Sequence, residues 1–160
     1  MRRSWEIRQA TTKELDAVRV LFAAYQQELS IDLSFQNFED ELRQLPGCYA
    51  GPQGAIFLGY PVSSSEASGC IAVRPLQERE KVCEFKRMFV YLSCRGRGLS
   101  ALLLESALCF AQQVGYRSVQ LDTLSTMKSA EKLYRRYGFQ DIEPYYDNPF
   151  VGTVFLGRSL

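Results

Sequence analysis

A chain of 160 residues without a histidine must run any acid–base chemistry on carboxylates, tyrosine, lysine, cysteine or water. The residues best placed for chemistry begin at Ser93-Cys94-Arg95-Gly96-Arg97-Gly98. Glycines at 96 and 98 reach positive φ without a Cβ penalty and let a ligand approach the backbone. Arg95 and Arg97 add two permanent charges. If a helix starts at Leu99, its first amides have no intrahelical partner and its dipole end is positive. Together these suit a diphosphate; the plain alternative is a basic surface turn with helix-capping glycines. Two further side chains are candidates. Glu84 is a strand carboxylate, either a base or one partner of Lys86 or Arg87. Tyr134 lies on a short helix, where a tyrosine facing a core ordinarily has its hydroxyl bonded.

The elements that must position them follow from periodicity. Phe85 to Tyr91 is rich in large and β-branched residues and reads as a strand. Leu99, Leu102, Leu103, Leu108, Phe110, Ala111 and Val114 follow helical spacing, with Gly115 as the stop. Upstream, Ser4 to Arg8 alternates as a first strand. Thr11 and Glu14 form a capping box before a helix carrying Leu15, Val18, Phe22, Tyr25 and Leu29. The spacing of Phe35, Phe38, Leu42 and Leu45 predicts a second helix over Ser34 to Leu45, ended by Pro46-Gly47. Strands are expected at Gly54–Tyr60 and Gly69–Arg74, joined by a polar hairpin loop, with a charged turn over Glu78 to Lys81. Ser118–Asp122 is a further strand, Ser129–Tyr137 a short helix closed by Gly138, and Val151–Leu156 a last strand. Three sequential strands suggest antiparallel hairpins, and the strand–helix–strand unit from Phe85 to Asp122 a parallel crossover. The whole is a mixed α/β sheet flanked by helices. No repeat or linker divides the chain, so residues 1–160 are expected to form a single domain.

Two other phosphate-binding classes fit the loop less well, although a nucleotide-binding regulatory protein using the same turn stays a rival. The GxxxxGK[S/T] pattern of P-loop NTPases is missing. A dinucleotide-binding GxGxxG belongs near the first strand, whereas this turn comes late, after the hairpins, with Ala101 at the third glycine position. Arg95-Gly96-Arg97-Gly98-Leu99-Ser100 resembles instead the Q/R-x-x-G-x-G/A signature of the GNAT superfamily of N-acetyltransferases, with Ser100 where Gly or Ala is usual. Ala130-Glu131-Lys132-Leu133-Tyr134-Arg135-Arg136-Tyr137-Gly138-Phe139 resembles the family's A-x-x-L-Y-x-x-x-G-F helix. Leu45-Pro46-Gly47, Glu84–Met88 and Tyr145-Tyr146-Asp147-Asn148-Pro149 are similar to one bacterial branch, so the resemblance covers nearly the whole chain. Met127 replaces the asparagine often found three residues before that alanine.

The resemblance implies a GNAT-like fold with splayed parallel strands and about four helices, and acetyl transfer from acetyl-CoA to a primary amine. It implies that acetyl-CoA lies along Met88, Phe89 and Val90, with its pyrophosphate on Arg95, Gly96, Arg97, Gly98, Leu99, Ser100 and Ala101. Ser129 and Arg136, on the following helix, are further contacts. Tyr134 would protonate the departing thiolate, because a phenol's ordinary pKa of about 10 lies near that of a thiol. Glu84, directly or through water, would take the acceptor's proton. Tyr25, Phe35, Tyr145, Tyr146 and Asn148 would wall the acceptor site. A CoA-binding sensor without transfer activity is the alternative.

Composition bounds the rest. Nineteen Lys and Arg against 18 Asp and Glu leave a net charge of +1, which argues against a nucleic-acid or membrane-surface binder. The five cysteines are scattered without a CxxC and read as free thiols, no metal set is evident, and the N-terminus lacks a signal-peptide core. A cytoplasmic monomer or homodimer acting on a small-molecule or protein amine is the expectation.

Overall fold

The computed structural model describes residues 4–77 and 79–160. Residue 78 of the expected charged turn and residues 1–3 of the N-terminal segment lie outside them. The described residues form seven strands: β1 Trp5–Gln9, β2 Ala55–Pro61, β3 Gly69–Pro75, β4 Val82–Val90, β5 Ser118–Leu124, β6 Gln140–Asp141 and β7 Thr153–Ser159. Four α-helices among the described residues accompany them: α1 Leu15–Leu29, α2 Phe38–Gln44, α3 Leu99–Val114 and α4 Lys128–Arg136. The strands form one mixed sheet in the order β1-β2-β3-β4-β5-β7-β6. The expected mixed α/β architecture is thus present, and so is the splay. β4 and β5 run parallel but pair only at Val82–Ser118, Cys83–Val119 and Glu84–Gln120. β5 stays paired with β7 as far as Leu124, and β4 continues to Val90 bonded to β3 alone. Beyond Glu84 the β5-facing edge of β4 therefore presents backbone groups that the sheet does not satisfy.

Each face of the sheet carries its own core. On one, α3 and α4 cover Ile71, Val73, Phe85, Val119 and Leu121 through Leu103, Leu104, Ala107 and Tyr134. On the other, Val18, Leu21 and Phe22 of α1 and Phe38 of α2 cover Ile56, Leu58, Cys70 and Phe89. Gly59 lets α3 lie close on β2, since a Cβ there would come within 2.4 Å of Leu99 Cδ1. No helix among the described residues is long and apolar enough to cross a membrane.

Local signals explain most boundaries. The Thr11–Glu14 capping box forms, with Glu14 Oε2 accepting from the Thr11 amide at 2.7 Å. It caps a 3-10 turn that leads into α1. Gly115 ends α3 at φ 98°. The expected single helix over Ser34–Leu45 is instead a 3-10 turn, Ser34–Gln36, and α2, broken at Asn37 with φ 55°. The cause is a long-range tie. The buried Arg87 guanidinium donates to Gln36 Oε1 at 2.9 Å and to both oxygens of Glu41 at 2.9 and 3.1 Å. It thereby fixes the two segments separately. The last strand starts at Thr153 rather than Val151, because Gly152 turns at φ 90° and its carbonyl accepts from the Ser125 amide. The two-residue β6 had no periodic signal.

Candidate active site

The glycine turn leaves its backbone amides open. A 3-10 turn over Leu92–Cys94 carries the chain out of β4. Gly96 and Gly98 then take φ 74° and 85°, with no atom within 4 Å of where a Cβ would stand. The first bond back into the helix is from the Leu102 amide to the Gly98 carbonyl, at 3.3 Å. The first-turn amides of α3 before Leu102 have no intrahelical acceptor, and no acidic side chain occupies that turn. Leu99 packs into the core, whereas Ser100 and Ala101 are half-buried at the rim. The two arginines differ in freedom. Arg95 Nε donates to the Val90 carbonyl at 2.8 Å and Nη2 to Glu28 Oε2 at 2.5 Å, so this guanidinium ties α1 to the end of β4. Arg97 makes no ion pair among the described residues. It lies over the Trp5 ring at 5.6 Å, and its carbonyl accepts from Trp5 Nε1 at 2.9 Å.

A cavity opens where β4 and β5 separate. Of the expected site residues, Tyr25, Phe35, Met88, Tyr134 and Asn148 line it. Tyr134 is 6% exposed and packs on Phe139 at 5.7 Å between ring centroids. Its hydroxyl makes no hydrogen bond among the described residues, unlike an ordinary core tyrosine. Burial raises the Tyr134 phenol above its ordinary value, so the O–H is retained at neutral pH. Burial also pushes the Tyr25 phenol up to about 12, against the nearby Arg87 charge. Phe89 lies in the α1-side core at 7% exposed and Val90 in the α3-side core at 4%, so their backbone, not their side chains, faces the gap. A bulge helps: three residues of β4 advance against two of β3 between Cys70–Phe89 and Ala72–Lys86, with Arg87 at φ 60°. Ser129 and Arg136 are exposed on α4, and Arg136 forms no ion pair among the described residues.

Glu84 is not at the cavity wall. It is 1% exposed. Arg74 binds Oε1 at 2.7 Å, and the Tyr145 hydroxyl donates to Oε2 at 2.5 Å. The Lys86 ammonium lies 3.9 Å from Oε2. Tyr145 and Tyr146 do not line the cavity either. They stack on Phe155 at 5.5 Å each, and Tyr146 holds the Asn148 amide at 2.8 Å. Buried Gln120 Oε1, opposite Glu84, has no hydrogen-bond partner among the described residues. The cavity also takes in Gln36, Lys86, Arg87, Asp122 and Met127, which motif reading had not assigned to the acceptor side. For Lys86 and Asp122 the alternation of strand faces was the available signal, but it needed the β4–β5 register.

The fold with its splayed strands and the comparisons with known proteins point to one class, an acyltransferase. A family model described as an acetyltransferase (GNAT) domain matches residues 55–141, and the chain belongs to the GNAT superfamily of acyl-CoA N-acyltransferases. It is similar to an uncharacterized N-acetyltransferase of Schizosaccharomyces pombe, at 37% identity over 90% of this chain and 87% of that one. A solved GNAT-family acetyltransferase from Staphylococcus aureus shares its fold with a TM-score of 0.79 at 19% identity, covering 97% of this chain and 98% of that one. A Klebsiella pneumoniae protein provisionally described as an acyl-CoA N-acyltransferase superposes with a TM-score of 0.69 at 26% identity, over 98% of this chain and 97% of that one.

Proposed function

We propose that the chain, residues 1–160 acting as one domain, moves an acetyl group from acetyl-CoA to a primary amine by direct attack. The observation that carries this reading is a coincidence at one gap: the unpaired edge of β4, the free amides at its end, and the unbonded Tyr134 hydroxyl beside the cavity. Acetyl-CoA supplies an acetyl thioester. The amides from Arg95 to Ala101 hold the diphosphate, with Arg97 and Arg136, neither ion-paired among the described residues, nearby and Ser129 at the start of α4. A strand amide between Met88 and Val90 holds the thioester oxygen, an oxyanion-type contact. Tyr134 keeps a proton on its hydroxyl for the leaving sulfur. Tyr25, Phe35 and Asn148 wall the acceptor, with Tyr145 and Tyr146 supporting them from behind.

We assign the acceptor's proton to water and give Glu84 a positioning role, because Arg74 and Tyr145 already occupy its oxygens. Glu84→Gln is expected to lower stability by about 1–3 kcal/mol, as Arg74 and Lys86 lose the charge they face. The same variant should keep both acetyl-CoA binding and the pH–rate profile. An acid limb displaced in a variant of unchanged melting temperature would make Glu84 the base instead.

The reading as a whole is tested by ligand stabilisation followed by a thiol-release assay across amines. Acetyl-CoA at 100 times its Kd should add about 2.7 kcal/mol of stability, with ATP and NAD far behind. An unchanged melting temperature in millimolar acetyl-CoA would overturn it.

A further inference from the structure

We propose that the acceptor is an amino carboxylate, bound with its carboxylate on Lys86 and its ammonium on Asp122. The inference rests on the transferase reading above and adds the substrate class. Glu84 pairs with Gln120 in the last rung that joins β4 to β5. Two residues further along each strand the side chains return to the same face. Lys86 and Asp122 therefore oppose each other across the opening, and both line the cavity.

The charges in this cavity are unevenly satisfied. Arg87 is held by three hydrogen bonds, two to Glu41 and one to Gln36. Lys86 is not. Its side chain is 6% exposed, its only ion-pair partner among the described residues is Glu84 at 3.9 Å, and its ammonium makes no hydrogen bond among them. The face of Tyr146 lies 5.9 Å from it. Asp122 forms no ion pair among the described residues, with Lys86 or with any other cation. A buried ammonium without hydrogen-bond acceptors is costly, and an incoming carboxylate supplies them. An amine without a carboxylate would fill the cavity and leave Lys86 unbonded. Asp122, on the far strand, gives the ammonium an opposite charge. One part of the wall, Leu29, Ile31, Leu33, Phe35 and Phe150, suits an apolar side chain and selects the probes.

Leucine and phenylalanine are compared with 3-methylbutylamine and 2-phenylethylamine, the same molecules without the carboxylate. Two readouts are used: kcat/KM for thiol release with acetyl-CoA, and the melting temperature in saturating CoA as each acceptor is added. Each amino acid is expected to exceed its amine at least tenfold in kcat/KM, about the effect of one lost charge-assisted contact, and to be the member of the pair that raises the melting temperature. In Lys86→Met the ratio should shrink to within about threefold, with acetyl-CoA still stabilising the variant. Wild-type protein that uses the amine as well as the amino acid overturns the proposal, and needs no variant to show it. So does a protein that acetyl-CoA stabilises but that transfers to neither. Absence of acetyl-CoA stabilisation is a different result, because it removes the transferase reading and this inference with it.

Discussion

Tyr134→Phe is expected to lower kcat by about 10²–10⁴-fold while leaving the protein as stable as before. The factor is what a positioned general acid ordinarily contributes. The unchanged stability follows from the structure. The hydroxyl has no partner among the described residues, so its removal breaks no protein hydrogen bond, and the ring keeps its contact with Phe139. Burial holds the phenol protonated, which suits a donor and not a base. Acetyl-CoA should bind the variant about as well as the wild type. Three readings separate cleanly in this one comparison. A proton donor gives a slow variant of normal melting temperature. A tyrosine serving only the core gives equal turnover. A CoA-binding sensor gives no turnover from either protein against any amine.

Gly98→Val should abolish acetyl-CoA binding. Two effects act together. At φ 85° a β-branched side chain is strained, and its branches would stand in the open space that the amides surround. With a ligand stabilisation of about 2.7 kcal/mol and roughly 2–4 °C per kcal/mol for a chain of this size, the wild type should gain about 5–11 °C and the variant nothing. Gly115, at the other end of α3 with φ 98° and equally open surroundings, provides the control. Gly115→Val carries comparable strain away from the cradle and should retain the full ligand shift. Loss of the shift in both variants would make strain the cause and take the anion away from Gly98.

The strand–turn–helix conformation around Gly96 and Gly98 was legible in the sequence because its signals are local. Strand, glycine turn and helix are adjacent, and each glycine does at the backbone what its type suggests. The acceptor side was not legible, because it is assembled by register and by long-range ties. Arg74 and Glu84 are ten residues apart but meet across β3 and β4, so the strand carboxylate is buried and paired at hydrogen-bond distance with a residue other than Lys86 or Arg87. The break at Asn37 depends on Arg87, far along the chain, reaching both flanking segments. No spacing within residues 34–45 encodes that. Lys86 and Asp122 become neighbours only once the β4–β5 pairing is known to stop at Glu84. Motifs spoke for Tyr134, yet its free hydroxyl emerged only from the packing around it.

The bond between Trp5 and Arg97 has an optical consequence. Trp5 is the chain's single tryptophan, so emission excited beyond the tyrosine absorption comes from one indole. That indole is 5% exposed, its N–H is committed to the Arg97 carbonyl, and the Arg97 guanidinium lies over its ring. The turn between Gly96 and Gly98 thus contributes to the local field that sets its colour and brightness. An anion bound on that turn, as proposed, would redraw the field by drawing on the same guanidinium. The protein carries, without any label, a fluorophore wired to the mouth of its own cradle.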